Sequence, residues 1–108
     1  GAVVAIEEQG TVIGVLSERD IVRQMATHGA DSLSMTVAGA MTRNVITATP
    51  GETVDVCLER MTDRRVRHLP VLRNGDLDGL VSIGDLVKWK IAQTEAEAEA
   101  MKSYIATG

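Results

Sequence analysis

Two copies of one small polar pattern carry most of the chemistry in this sequence: Ser17-Glu-Arg19-Asp20 and Ser82-Ile-Gly-Asp85. In each, a hydroxyl and a carboxylate stand three residues apart, where an apolar run gives way to a helical pattern. A carboxylate at such a corner can accept two hydrogen bonds from a ribose 2′,3′-diol. The serine hydroxyl and the free N–H groups of the first helical turn can meet a phosphate. A hydrogen bond to a charged acceptor contributes about 1.5–3 kcal/mol, enough to matter to a micromolar-class ligand. The same Ser-x-x-Asp spacing is also a variant capping box, with Ser at the N-cap and the acid at N3 favoured by the helix dipole. The two roles can coexist.

Other side chains divide in the same way. Arg64-Arg65-Val66-Arg67-His68 is the basic cluster of an acidic chain. Arg67 or His68 can neutralise phosphate, with arginine giving planar bidentate contacts. Arg64 and Arg65 read instead as a solvated helix end, where cations offset the C-terminal dipole. Strand alternation separates Arg67 from His68, so the two are not expected to share a role. Val45 and Ile46 can flank a bound ligand with their aliphatic side chains, or one of them can pack into the core. Arg19 can reach a phosphate or form a surface ion pair with Glu18 or Asp20. His28 falls in a helix-ending turn, and Cys57 on the apolar side of a helix. No spacing of His, Cys, Asp and Glu suggests a metal, and no nucleophile–base arrangement suggests catalysis; the expectation is a protein that is not an enzyme.

The elements that must position these groups are legible from a repeat. Residues 10–23 lie over 75–88 without a gap at an offset of 65: Gly10/Gly75, Gly14/Gly79, Ser17/Ser82, Asp20/Asp85 and Val22/Val87 are identical. A unit of about 60 residues is too long for a solenoid and reads as a duplicated α/β subdomain. The apolar periodicity predicts strands at 2–7 and 11–16 and a helix from Ser17 to about Thr27, closed by Gly29. A short strand follows at 45–48. Thr49 or Thr53 caps a helix over 53–65, with Pro50 and Glu52 in its first turn and Val54, Leu58 and Met61 on one face. Strands at 67–72 and 77–82 join through the Asn74-Gly75 hairpin signal, and a long helix runs from Ile83 to about Ile105. The second repeat is thus β-α-β-β-α. The first begins at its hairpin, without a first strand and helix, and Ala2-Val3 stand where the second repeat has Arg67-His68. The expected divisions are 1–35 for the partial first repeat, 36–92 for the second and 93–108 for a helical extension. A longer natural chain or a partner is expected to supply the missing elements. The extension, with its Glu-Ala alternation and late Met101, Tyr104 and Ile105, is expected to pack on a dimer mate.

Composition narrows the class. Hydrophobic residues make up 44% of 108 residues, enough to bury a core, but there is no Phe, so that core is aliphatic. A net charge of −4 argues against a nucleic-acid partner. No apolar run approaches the roughly 20 residues that cross a bilayer. The single cysteine suits a reducing, cytoplasmic setting.

The chain resembles the tandem CBS-domain pair, or Bateman module. The residues that carry the resemblance are Met41-Thr42, Arg67-His68-Leu69-Pro70-Val71, Gly79-Leu-Val-Ser82-Ile-Gly-Asp85 and Gly14-Val-Leu-Ser17-Glu-Arg-Asp20. It covers the second repeat fully and the first from its second strand. The resemblance implies a regulatory module that binds an adenine nucleotide (AMP, ATP or NADH) in a cleft between paired repeats, and a disc-like homodimer. It also implies binding contacts near His68 and its neighbours, Arg67 and Pro70 among them. Alternatives are a ligand-free dimerisation module and a regulatory fragment of a larger enzyme or transporter.

Overall fold

The computed structural model describes residues 1–107, so Gly108 of the expected extension lies outside the described residues. Two antiparallel hairpins and their following helices form the frame. Strand β1 (Ala2–Ile6) pairs with β2 (Val12–Ser17), which runs into α1 (Glu18–His28). A 3-10 turn (Gly29–Ser34) and the short α2 (Val37–Ala40) lead to α3 (Val54–Arg64). Strands β3 (His68–Arg73) and β4 (Asp76–Ser82) form the second hairpin, and α4 spans Ile83–Thr107. The α/β class and the paired strand–turn–helix units match the sequence expectation.

The turn chemistry explains both hairpins. Asn74 and Gly75 both take positive φ, 53° and 86°, which a two-residue primed turn requires. The first hairpin turns through residues 7–11, with Gly10 at φ 92°. Its turn is one residue longer than residues 73–76 of the second hairpin, because Ile6 faces Val12 whereas Leu72 faces Leu77. The gapless offset therefore fails ahead of Gly10. Ala2 faces Ser17 as His68 faces Ser82, so Gly1 and Ala2, not Ala2 and Val3, stand where the second repeat has Arg67 and His68.

The expected strand at 45–48 is reduced to one parallel bridge. Ala48 N–H donates to the Pro70 carbonyl (2.9 Å), and Leu72 N–H to the Ala48 carbonyl (2.8 Å). Thr53 caps α3, accepting from Val56 N–H at 3.2 Å. Glu52 falls just outside that helix and instead accepts from Thr49 N–H (2.9 Å) and from Arg60. Arg60 also donates to the Thr47 carbonyl at 2.9 Å, so this pair clamps the segment after Ile46 against α3. The Arg60 guanidinium and then the Thr49 N–H hold the Glu52 carboxyl down at about 2, against an ordinary 4.5. A depressed carboxylate stabilises the fold above its unfolded value and loses that contribution as pH falls through the folded one. Wild type should therefore melt above Glu52→Gln at pH 6. That gap should close between about pH 4.5 and 2 in a melting series, and a gap independent of pH would refute the pairing.

The core belongs to the second repeat: Ala48, Cys57, Met61, Leu69 and Leu86 are buried, with Ile46, Val54, Leu58, Val66, Val81 and Ile83 packed around them. Burial pushes the Cys57 thiol up, as befits a packing residue and not a reactive one. The first repeat is less covered. Gly14 is buried beneath Met41, whereas α1 leaves Ile21, Val22 and Met25 exposed. Within the described residues no helix is long and apolar enough to cross a membrane.

Candidate functional site

A cleft of about 390 Å³ opens between the β2–α1 corner and the segments at 42–46 and 65–68, a size suited to a small-molecule ligand. Ser17, Arg19, Asp20, Val45, Ile46, Arg67 and His68 all line it. Three elements thus converge: the strand-to-helix corner of the first repeat, the opening segment of the second and the entry to β3.

The corner is held by a full capping box. Ser17 N–H donates to Asp20 Oδ2 at 2.9 Å, and Asp20 N–H donates to Ser17 Oγ at 3.2 Å. The Ser17 hydroxyl donates to the same Oδ2 at 3.0 Å. Thr42 Oγ1, from the linker, donates to Asp20 Oδ1 at 3.2 Å, and the Arg23 guanidinium lies 3.7 Å from that oxygen. Asp20 is consequently 8% exposed and yet at the cleft wall. A carboxylate offers about four lone-pair sites, so three hydrogen bonds leave room for one more donor. Thr42 itself is placed by a two-way backbone bridge with Val15, at 2.9 and 3.0 Å. Sequence reasoning missed Thr42 as a partner of the corner; its place beside Met41, in the pair that precedes the second repeat, was the available signal.

Val45 and Ile46 line the cleft together, and Ile46 also packs against the core, so its two candidate roles coincide. Arg67 and His68 share the cleft wall, contrary to the alternation argument. The reason is that β3 begins at His68: Arg67 precedes the strand, and its carbonyl accepts from Ile83 N–H at 2.8 Å. Burial pulls the His68 imidazole below its ordinary value, which keeps the ring neutral at neutral pH.

Pro70 does not line this cleft; it is fully enclosed, with its carbonyl bonded to Ala48. Nor do Ser82 and Asp85. Ser82 stands across the ladder from His68, and Asp85 is exposed, capping α4 through Asp85 N–H to Ser82 Oγ (3.1 Å). Hydrogen bonds donated to the Asp85 carboxylate by the Ser82 hydroxyl and then by the Ser82 N–H (3.4 Å) hold that carboxyl below its usual range. At the first corner Thr42 donates to Asp20 and bridges Val15, which ties Met41–Ile46 to that corner.

Arg65, read from sequence as a solvated helix end, also lines the cleft. It caps α3 in a left-handed conformation (φ 55°, ψ 42°), with its N–H on the Met61 and Thr62 carbonyls. That conformation disfavours a residue with a Cβ by roughly 1 kcal/mol, which is why helices usually end on glycine there.

A strand-to-helix corner built from a hydroxyl and an acid, present twice, defines a paired α/β module, and its first copy borders the cleft. The CBS domain family model matches residues 37–92, and the chain belongs to the CBS-domain family. It is 36% identical over 112 residues to a mitochondrial CBS domain-containing protein, CBSX3, of Arabidopsis thaliana, across 100% of this chain and 54% of that protein. The chain thus spans about half the length of that relative. Among solved structures, a CBS-domain containing protein of Agrobacterium tumefaciens superposes with a TM-score of 0.80 at 47% identity, covering 83% of this chain and 71% of that one. The CBS domain pair of protein MJ0100, in complex with 5′-methylthioadenosine and S-adenosyl-L-methionine, gives a TM-score of 0.75 at 26% identity, covering 85% and 71%.

Proposed function

We propose that the cleft binds an adenine nucleotide, AMP, ATP or NADH, and that the protein is a regulatory module whose packing responds to it. The observation that carries this reading is the convergence of Ser17, Asp20, Val45, Ile46, Arg67 and His68 on one ligand-sized cleft. Asp20 receives a ribose hydroxyl, Val45 and Ile46 flank the base, and Arg67 meets phosphate. The adenosine-containing ligands of the MJ0100 structure support the class of ligand. Regulation then follows if the ligand favours one packing of the repeats over another.

The protein acts as a homodimer in this reading. Ile21, Val22 and Met25 on α1 and Val87 and Ile91 on α4 are exposed apolar side chains that a second copy covers. The cytoplasm is the proposed compartment, on the strength of a single cysteine kept in the core. A ligand-free dimerisation module is the competing reading, favoured by one observation: the Asp20 oxygens are already engaged by Ser17 and Thr42.

A thermal-shift series with AMP, ATP, NADH and S-adenosylmethionine separates the two. A ligand at 100 times its Kd stabilises by about 2.7 kcal/mol, a rise of several degrees in a domain of this size. Failure of every compound to raise the melting temperature at millimolar concentration would leave the dimerisation module.

A further inference from the structure

We infer that Arg65 is a phosphate-binding residue of this cleft and that, with Arg19 and Arg67, it selects nucleotides carrying more than one phosphate. The inference rests on the nucleotide reading above and deepens it. Three observations carry it. First, Arg65 occupies the left-handed position that ends α3, where glycine is the relaxed choice, and the Arg65 and Val66 N–H groups on the Met61 carbonyl hold it there. An outlier of this kind, at the wall of a cleft, points to a use for the side chain. Second, Arg65, Arg19 and Arg67 form no side-chain hydrogen bond or ion pair with another described residue. By contrast Arg23, Arg43, Arg60 and Arg73 each lie against an oxygen. Third, the cleft gathers Arg19, Arg23, Arg65 and Arg67 against Glu18 and Asp20, in a chain whose net charge is −4.

Guanidiniums without partners on the wall of one cleft are available to an anion that enters it. A single phosphate cannot engage all of them at once, whereas a di- or triphosphate presents several anionic groups along its length. A sulfonium such as S-adenosylmethionine carries the wrong charge for this wall.

The test is calorimetric titration of the whole chain with ATP, ADP, AMP and S-adenosylmethionine, without magnesium so that the phosphates stay bare, at one fixed ionic strength. ATP should bind about tenfold more tightly than AMP, and Arg65→Gly should remove most of that advantage while AMP affinity changes by less than about threefold. Because glycine suits the left-handed position, Arg65→Gly should melt at or above the wild-type temperature, which separates loss of a contact from loss of structure. Arg64→Ala, outside the cleft, should leave every affinity unchanged. An AMP-binding wild type with no preference for ATP overturns this inference and leaves the nucleotide reading standing. So does an Arg65→Gly variant that keeps the preference, or one that loses AMP and ATP equally with a lowered melting temperature. If no nucleotide binds, both fall.

Discussion

Gly14→Ala should cost about 2–3 kcal/mol of stability, while Gly79→Ala, the same position of the other repeat, should change stability by less than about 1 kcal/mol. A Cβ on Gly14 would lie 2.3 Å from Met41 Sδ, 2.7 Å from Cγ and 2.9 Å from Cε, and Met41 is buried. Methionine bends, but a collision reaching Cγ cannot be relieved at the tip of the side chain alone. Met41 must move, and it adjoins Thr42, which bridges Val15 and donates to Asp20. Ligand binding should therefore weaken along with stability. At Gly79 nothing lies within 4 Å of the added methyl, and in an extended strand alanine is slightly preferred to glycine. Urea denaturation of the two variants side by side decides the matter. Equal losses would mean that Met41 does not cover Gly14 as described.

Asp20→Ala should destabilise by about 2–3 kcal/mol, and Asp85→Ala by clearly less. Both acids cap a helix from the same repeat position. Asp20, however, is buried and also accepts from Thr42, so its removal leaves the Ser17 N–H and the Thr42 hydroxyl without an acceptor. Asp85 is exposed, and water replaces its carboxylate at Ser82 N–H. Thr42→Val in the Asp20→Ala background completes a double-mutant cycle. A coupling of about 0.5 kcal/mol or more is expected between these neighbours, and strict additivity would show that the linker and corner act independently. If the nucleotide reading holds, Asp20→Ala also abolishes the thermal shift, and Asp85→Ala spares it.

Much of the architecture was legible because it rests on local rules. The duplicated Gly-Ser-Asp spacing located both strand-to-helix corners, Asn74-Gly75 located a hairpin turn, and Thr53 located the start of α3. Where the reading slipped, a longer-range contact or a small geometric irregularity was responsible. Residues 45–48 have strand chemistry, but only Ala48 reaches β3 closely enough to bridge. The extra residue beside Gly10 shifts the register of β1 without leaving a gap in the repeated stretch itself. Pro70 resembles a cleft residue by its neighbours, yet its place in the ladder points it into the core.

The sequence by itself determined the class of protein, the two capping corners and the chemistry available at each, since caps, turns and alternation are written in residues a few positions apart. Only the tertiary structure showed what surrounds each corner. The Ser17/Asp20 corner lines a cleft with Thr42, Val45 and the Arg65–His68 wall, whereas Ser82 and Asp85 do not line it and Asp85 is exposed. Identical motifs thus differ in burial and in bonding, because a carboxylate's surroundings are set by whatever the chain packs against it and not by its own three neighbours.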